Sequence, residues 1–166
     1  MLSGFGLSAQ HSTTVAAFLP TGSVQLDPGQ PNNPSIRFLT VFYQTVSYPS
    51  SALNYGIIGA ILVTCAIDTT GGLSVVVTEF RDLRAPDHRP DSITDKDILR
   101  VIGYGINGPS TPPRPTSNRK RLRREQTDLE KEVARTLRAF PRFEPARRDG
   151  QKVPDTQTRL IYFRLQ

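Results

Sequence analysis

The chain has 166 residues, enough for one domain with a real core plus tails. Hydrophobic content is 37%, and 14 prolines with 12 glycines point to long irregular stretches. The 21 lysines and arginines exceed the 15 aspartates and glutamates to give a net charge of +6, and the single cysteine leaves no internal disulfide and no cysteine-based zinc site.

The charge is unevenly spread. Residues 1–80 hold one basic residue, Arg37, against Asp27, Asp68 and Glu79, whereas residues 114–164 hold 15 basic and 7 acidic residues. A neutral front and a basic back point to an anionic partner at the C-terminal third, either nucleic acid or an acidic membrane surface. A solvated basic tail is the plainer alternative.

The opening MLSGFGLSAQH lacks a basic segment ahead of an apolar one, so no secretory signal is expected, and Leu2 excludes N-myristoylation. Residues 1–34 mix Ser, Gly, Thr and Pro and read as an irregular arm in which VAAFL can dock locally. SIRFLTVFYQTVSY (35–48), rich in β-branched and aromatic residues on both faces, predicts a largely buried strand. Pro49, Ser50 and Ser51 then turn the chain.

YGIIGAILVTCAI (55–67) favours a strand over a helix, with Gly56 and Gly59 marking a bulge or a close backbone approach. This near-continuous apolar run is well short of the roughly 20 residues needed to span a bilayer. Cys65 inside it reads as a small buried thiol. Asp68-Thr69-Thr70-Gly71-Gly72 predicts a hairpin loop, and LSVVVTEF (73–80) returns antiparallel with Leu73, Val75 and Val77 toward the core.

Residues 82–97 form a charged, proline-punctuated loop. ILRVIGYGI (98–106) predicts a strand whose first half can close a short helix begun at Thr94. GPSTPPRPTS (108–117) reads as a stiff linker. In residues 118–140, Leu122, Leu129, Val133, Leu137 and Phe140 share one face, with Ser117 to cap the helix and Pro141 to end it. The basic segment 141–166 ends in RLIYFRLQ, which can return to the sheet as a terminal strand. The expected organisation is therefore an arm (1–34), a β core (35–107), a Pro-rich linker (108–117), a basic amphipathic helix (118–140) and a basic C-terminal segment. The expected fold is mainly β: an antiparallel β-sandwich or jelly-roll-like core followed by the helix.

Several patterns carry little chemistry. GYGING (103–108) matches G-x-G-x-x-G, yet PSTPPRP follows it where a dinucleotide site needs a helix. Asp82, Asp87, Asp91, Asp95 and Asp97 are balanced by Arg81, Arg84, Arg89, Lys96 and Arg100, so pairing within the loop is expected and no metal site is assigned. His11 and His88 give no triad or zinc set. PSTPPR (109–114) fits a polyproline ligand, a pattern common in linkers. An enzyme has little support, and no cofactor is assigned.

RKRLRR (119–124) has the highest charge density. Arg119, Lys120, Arg121, Arg123 and Arg124 would fan around a helix, which suits phosphates rather than base readout. A nuclear import signal is equally compatible.

Read together, YGIIGAILVTCAIDTTGGLSVVVTEFRDLRAPDHRPDS (55–92) resembles the central core of plant-virus movement proteins of the thirty-kilodalton superfamily, tobamovirus type. Gly59 lies in the first strand, Gly72 in the opening of the second, Glu79 at the family's aspartate and Arg81 at its arginine. Glu79 departs from the family by one methylene, and the chain turns proline-rich soon after Ser92. The resemblance implies a non-enzymatic, jelly-roll-related β fold that binds single-stranded RNA or DNA and acts at plasmodesmata and in host cytoplasm. In this reading Glu79 and Arg81 pair at the end of a strand. Two alternatives stand beside it. One is a matrix-like scaffold that self-associates as a homo-oligomer and touches anionic membrane or host proteins. The other is a nuclear regulator imported through RKRLRR.

Overall fold

The computed structural model describes residues 13–104 and 119–166, with backbone alone for 119–122. Its elements run β1 (Thr14–Val15), α1 (Pro34–Thr45), α2 (Ser50–Asn54), β2 (Gly59–Ile67), β3 (Leu73–Arg81), β4 (Ile98–Gly103), α3 (Arg119–Arg138), β5 (Ala146–Arg148), β6 (Gln151–Val153) and β7 (Asp155–Leu165). The strands form a four-stranded sheet in the order β3-β2-β7-β4 and a small sheet β1-β5-β6, so the described fold is largely β. All pairings are antiparallel except β4 with β7, which are parallel.

The hairpin of β2 and β3 forms as its sequence predicts. Asp68 organises the connection, its carboxylate accepting from the backbone N–H groups of Thr70 and Gly72. Gly71 turns with φ +84°, where a side chain would be strained and would also strike the carbonyl of Phe143. One expectation within β3 fails. Thr64 pairs with Val77 but Cys65 with Val75, so Val76 bulges out and the alternation changes phase. Leu73 and Val75 face the core as expected, whereas Val77 is half exposed and Thr78 and Phe80 take the inward positions.

Segment 35–48 is not a strand. Residues 34–45 form α1, because Asn33 caps its start by accepting from Ile36 N–H at 2.9 Å and Pro34 occupies the first turn. Phe38, Val41 and Phe42, at helical spacing, then reach the core. Arg37 is buried on this helix and donates to Leu19 C=O and Asn32 Oδ1, both at 2.6 Å. Pro49, Ser50 and Ser51 lead directly into the short α2.

Helices, rather than a second sheet, cover one face of the main sheet, and this replaces the expected sandwich. Phe42 of α1, Ala52 of α2 and Leu129, Val133 and Leu137 of α3 pack with Ile61, Val63, Leu99, Val101, Ile161 and Phe163 of the strands. A satellite cluster joins Ala17 and Leu19 of the arm to Val41, Ile67, Phe143 and Ala146, so VAAFL docks near the small sheet. The terminal strand β7 lies at the centre of the main sheet, between β2 and β4. The C-terminal segment therefore completes the core, and its stretch 146–153 supplies the β5–β6 hairpin.

The other face of the sheet is covered in part by loop 82–97, whose Ile93 and Leu83 pack on Ala60, Leu160 and Tyr162. That loop ends in a single 3-10 turn, Asp95–Asp97, capped by Thr94.

Candidate nucleic-acid interface

Helix α3 carries the highest density of basic residues, and its placement follows from its apolar stripe. Leu129, Val133 and Leu137 are fully buried against the sheet and Phe140 packs beside them. Polar ties fix the flanks. Asp128 accepts from Ser51 Oγ at 2.9 Å, Glu130 from Phe80 N–H at 2.9 Å, and Glu132 from both Ser47 N–H (2.7 Å) and Ser47 Oγ (2.9 Å). Arg135 joins Glu132 at 2.7 Å and donates to Thr45 C=O. Burial alone would raise the Glu132 pKa, but hydrogen bonds from Arg135 and Ser47 hold it below the usual carboxylate value.

This clamping turns the opposite side of α3 outward. Arg123 and Arg124 are exposed and form no ion pair with any described residue. Arg119, Lys120 and Arg121 belong to the first turn of the same helix, and their side chains lie outside the described residues. So do the Leu122 side chain and the Ser117 cap. Glu125, the nearest acid in sequence, is buried, its Oε2 has no hydrogen-bond partner, and it forms no ion pair with Arg123 or Arg124. The sequence did not single out Arg138, Arg148 and Lys152, which are exposed and free of ion pairs among the described residues. Their only signal is the charge excess of the last third.

The motif residues have structural roles. Gly59 begins β2, where an added Cβ would run into the Phe80 ring. The Cβ of a residue at Gly72 would crowd the Asp68 carboxylate. Arg81 Nη2 meets Glu79 Oε2 at 2.9 Å, which is the pairing expected at the end of this strand.

The remaining candidates fall into place as architecture. Arg89 pairs with Asp95 at 2.9 Å, while Asp97 pairs across with Arg159 at 2.8 Å through Oδ1 and accepts from Thr94 within the loop through Oδ2. Among the described residues no group of three or more His, Cys, Asp or Glu is placed to hold a metal ion. The ring of His88 meets Ala85 C=O through Nδ1. Burial pushes the Cys65 thiol up to about 11, which makes it a poor nucleophile. No described helix is long and apolar enough to cross a membrane. His11, GYGING beyond Tyr104 and PSTPPR lie outside the described residues.

Comparison with known protein families, curated proteins and solved structures finds no match to this chain.

Proposed function

We propose that this protein binds single-stranded nucleic acid without sequence preference, as a viral accessory protein that helps a genome pass between cells. The observation that carries the reading is the orientation of α3. Its apolar stripe and acidic flanks are held by the core, and Arg123 and Arg124 are exposed with no ion pair among the described residues. Exposed arginines neutralise phosphates, and a phosphate contact carries no sequence information, so affinity in this reading depends on salt rather than sequence. The movement-protein resemblance of residues 55–92 supports the biological setting only. Its jelly-roll component is not part of the support, because helices cover the sheet.

Fluorescence anisotropy with two single strands of unrelated sequence tests the proposal. Similar affinities for both are expected, with weaker binding as salt rises. Absence of binding, or preference for acidic liposomes over either strand, would overturn it in favour of a membrane-facing scaffold.

A further inference from the structure

A second surface lies on the side of the sheet away from α3. Leu99 and Val101 of β4 are buried under the helices, and a Cβ at Gly103 would meet Tyr48 and Leu53 of that layer. Alternation therefore sends Arg100 and Ile102 to the opposite face, and Tyr104 follows directly on the end of β4. On that face Arg100 pairs in register with Tyr162 of β7, and Ile102 with Arg164. Loop 82–97 reaches as far as Ile98, Leu160 and Tyr162 and leaves the carboxyl ends of both strands uncovered. Tyr104 is 70% exposed and Ile102 38%. Arg100 and Arg164 are exposed and have no ion pair among the described residues. The Arg164 guanidinium carbon lies 5.4 Å from the centre of the Tyr162 ring.

An exposed ring at the end of β4, next to a sheet face whose two arginines have no ion pair among the described residues, matches the chemistry of an unpaired nucleotide: a flat base and a phosphate. A base stacks on the tyrosine whatever its identity, and the arginines take the backbone charge. A duplex keeps its base faces stacked inside and gains nothing here. We infer that the open face of β4 and β7, through Tyr104, Arg100 and Arg164, is a stacking platform for single-stranded nucleic acid. It is separate from α3 and lies on the other side of the sheet. The inference rests on the nucleic-acid reading above and adds a base-contacting surface to the phosphate-contacting one.

The full-length chain and its Tyr104→Ala, Tyr104→Phe and Arg123→Ala/Arg124→Ala variants can be titrated with single-stranded RNA and with an abasic strand of equal length. Tyr104→Ala is expected to weaken RNA binding by at least about fivefold, the low end of base–aromatic stacking, with an unchanged salt slope. It should leave the abasic strand unaffected, and Tyr104→Phe should retain binding. The arginine variant should instead reduce the salt slope on both strands. Equal RNA binding by Tyr104→Ala and the parent chain overturns the platform while leaving the α3 proposal standing. A Tyr104 effect without an arginine effect upholds the platform and removes the α3 site. Absence of RNA binding by the parent chain overturns both.

Discussion

A methyl group at position 59 has nowhere to go, because the Phe80 ring from the neighbouring strand lies over the Gly59 backbone. Position 71 is constrained twice, by its left-handed φ and by the carbonyl of Phe143. Gly59→Ala must displace a partly buried ring that packs against the core, so it should cost about 1–3 kcal/mol as an overpacking change. Gly71→Ala should cost at least as much, since backbone strain is added to the clash. Urea denaturation reads both as a lower midpoint at unchanged slope. A midpoint equal to that of the parent chain would show that Phe80 or the 143 backbone moves aside freely.

At the scale of elements, each edge of the main sheet has an outward amide occupied by a helix side chain. Glu130 of α3 accepts from Phe80 N–H of β3, and the Tyr43 hydroxyl of α1 accepts from Arg100 N–H of β4. Edge strands with free amides recruit other strands, so these contacts guard the sheet as well as anchor the helices. Glu130→Ala should lower stability by roughly 1–3 kcal/mol, the usual loss for a hydrogen bond to a charged group. It should also promote self-association, measured by sedimentation velocity. A monomer of unchanged stability would show that the contact does neither.

The elements also show what the sequence made legible. The β2–β3 hairpin and α3 were readable because local turn chemistry and a clean apolar stripe agree with the packing. Helix α1 was not, although Asn33-Pro34 is a start signal and Phe38, Val41 and Phe42 fit a helical period. Its β-branched and aromatic residues favour strands, and tertiary contacts overrode that preference. The Val76 bulge leaves no mark in a run of three valines. The central place of β7 is set by pairing with β2, almost a hundred residues earlier, which no local pattern encodes. For the interface, the charge of RKRLRR was plain in the sequence. The exposure of Tyr104 and Arg164 depends on how far loop 82–97 extends.

At the scale of the molecule, three carboxylates among the described residues have pKa values held below the ordinary carboxylate value. At Asp68 the leading cause is the Thr70 hydroxyl. At Asp97, burial pushes upward but is outweighed by Thr94 and Arg159, and at Glu132 by Arg135 and Ser47. Each group binds its proton more weakly in the folded state than in the unfolded chain. Their contribution to stability is therefore complete above the ordinary carboxylate range and is lost as pH falls through the lowered values. The thermal midpoint should be level near neutrality and fall below about pH 4. A midpoint that rises on acidification would contradict these assignments. Asp97 joins the 3-10 turn before β4 to β7, and Glu132 joins α3 to the α1–α2 connection, so acid should loosen the layers that position the basic helix.

The central claim is electrostatic, and the salt dependence of single-strand binding tests it most directly. If Arg119, Lys120, Arg121, Arg123 and Arg124 each neutralise a phosphate, α3 contributes about −3.5 to the slope of log K against log salt, at about 0.7 per contact on a single strand, and Arg100 and Arg164 add to it where they also meet phosphate. Arg123→Ala/Arg124→Ala should make the slope shallower by about 1.4. A slope that is flat, or identical in the variant, would contradict the account.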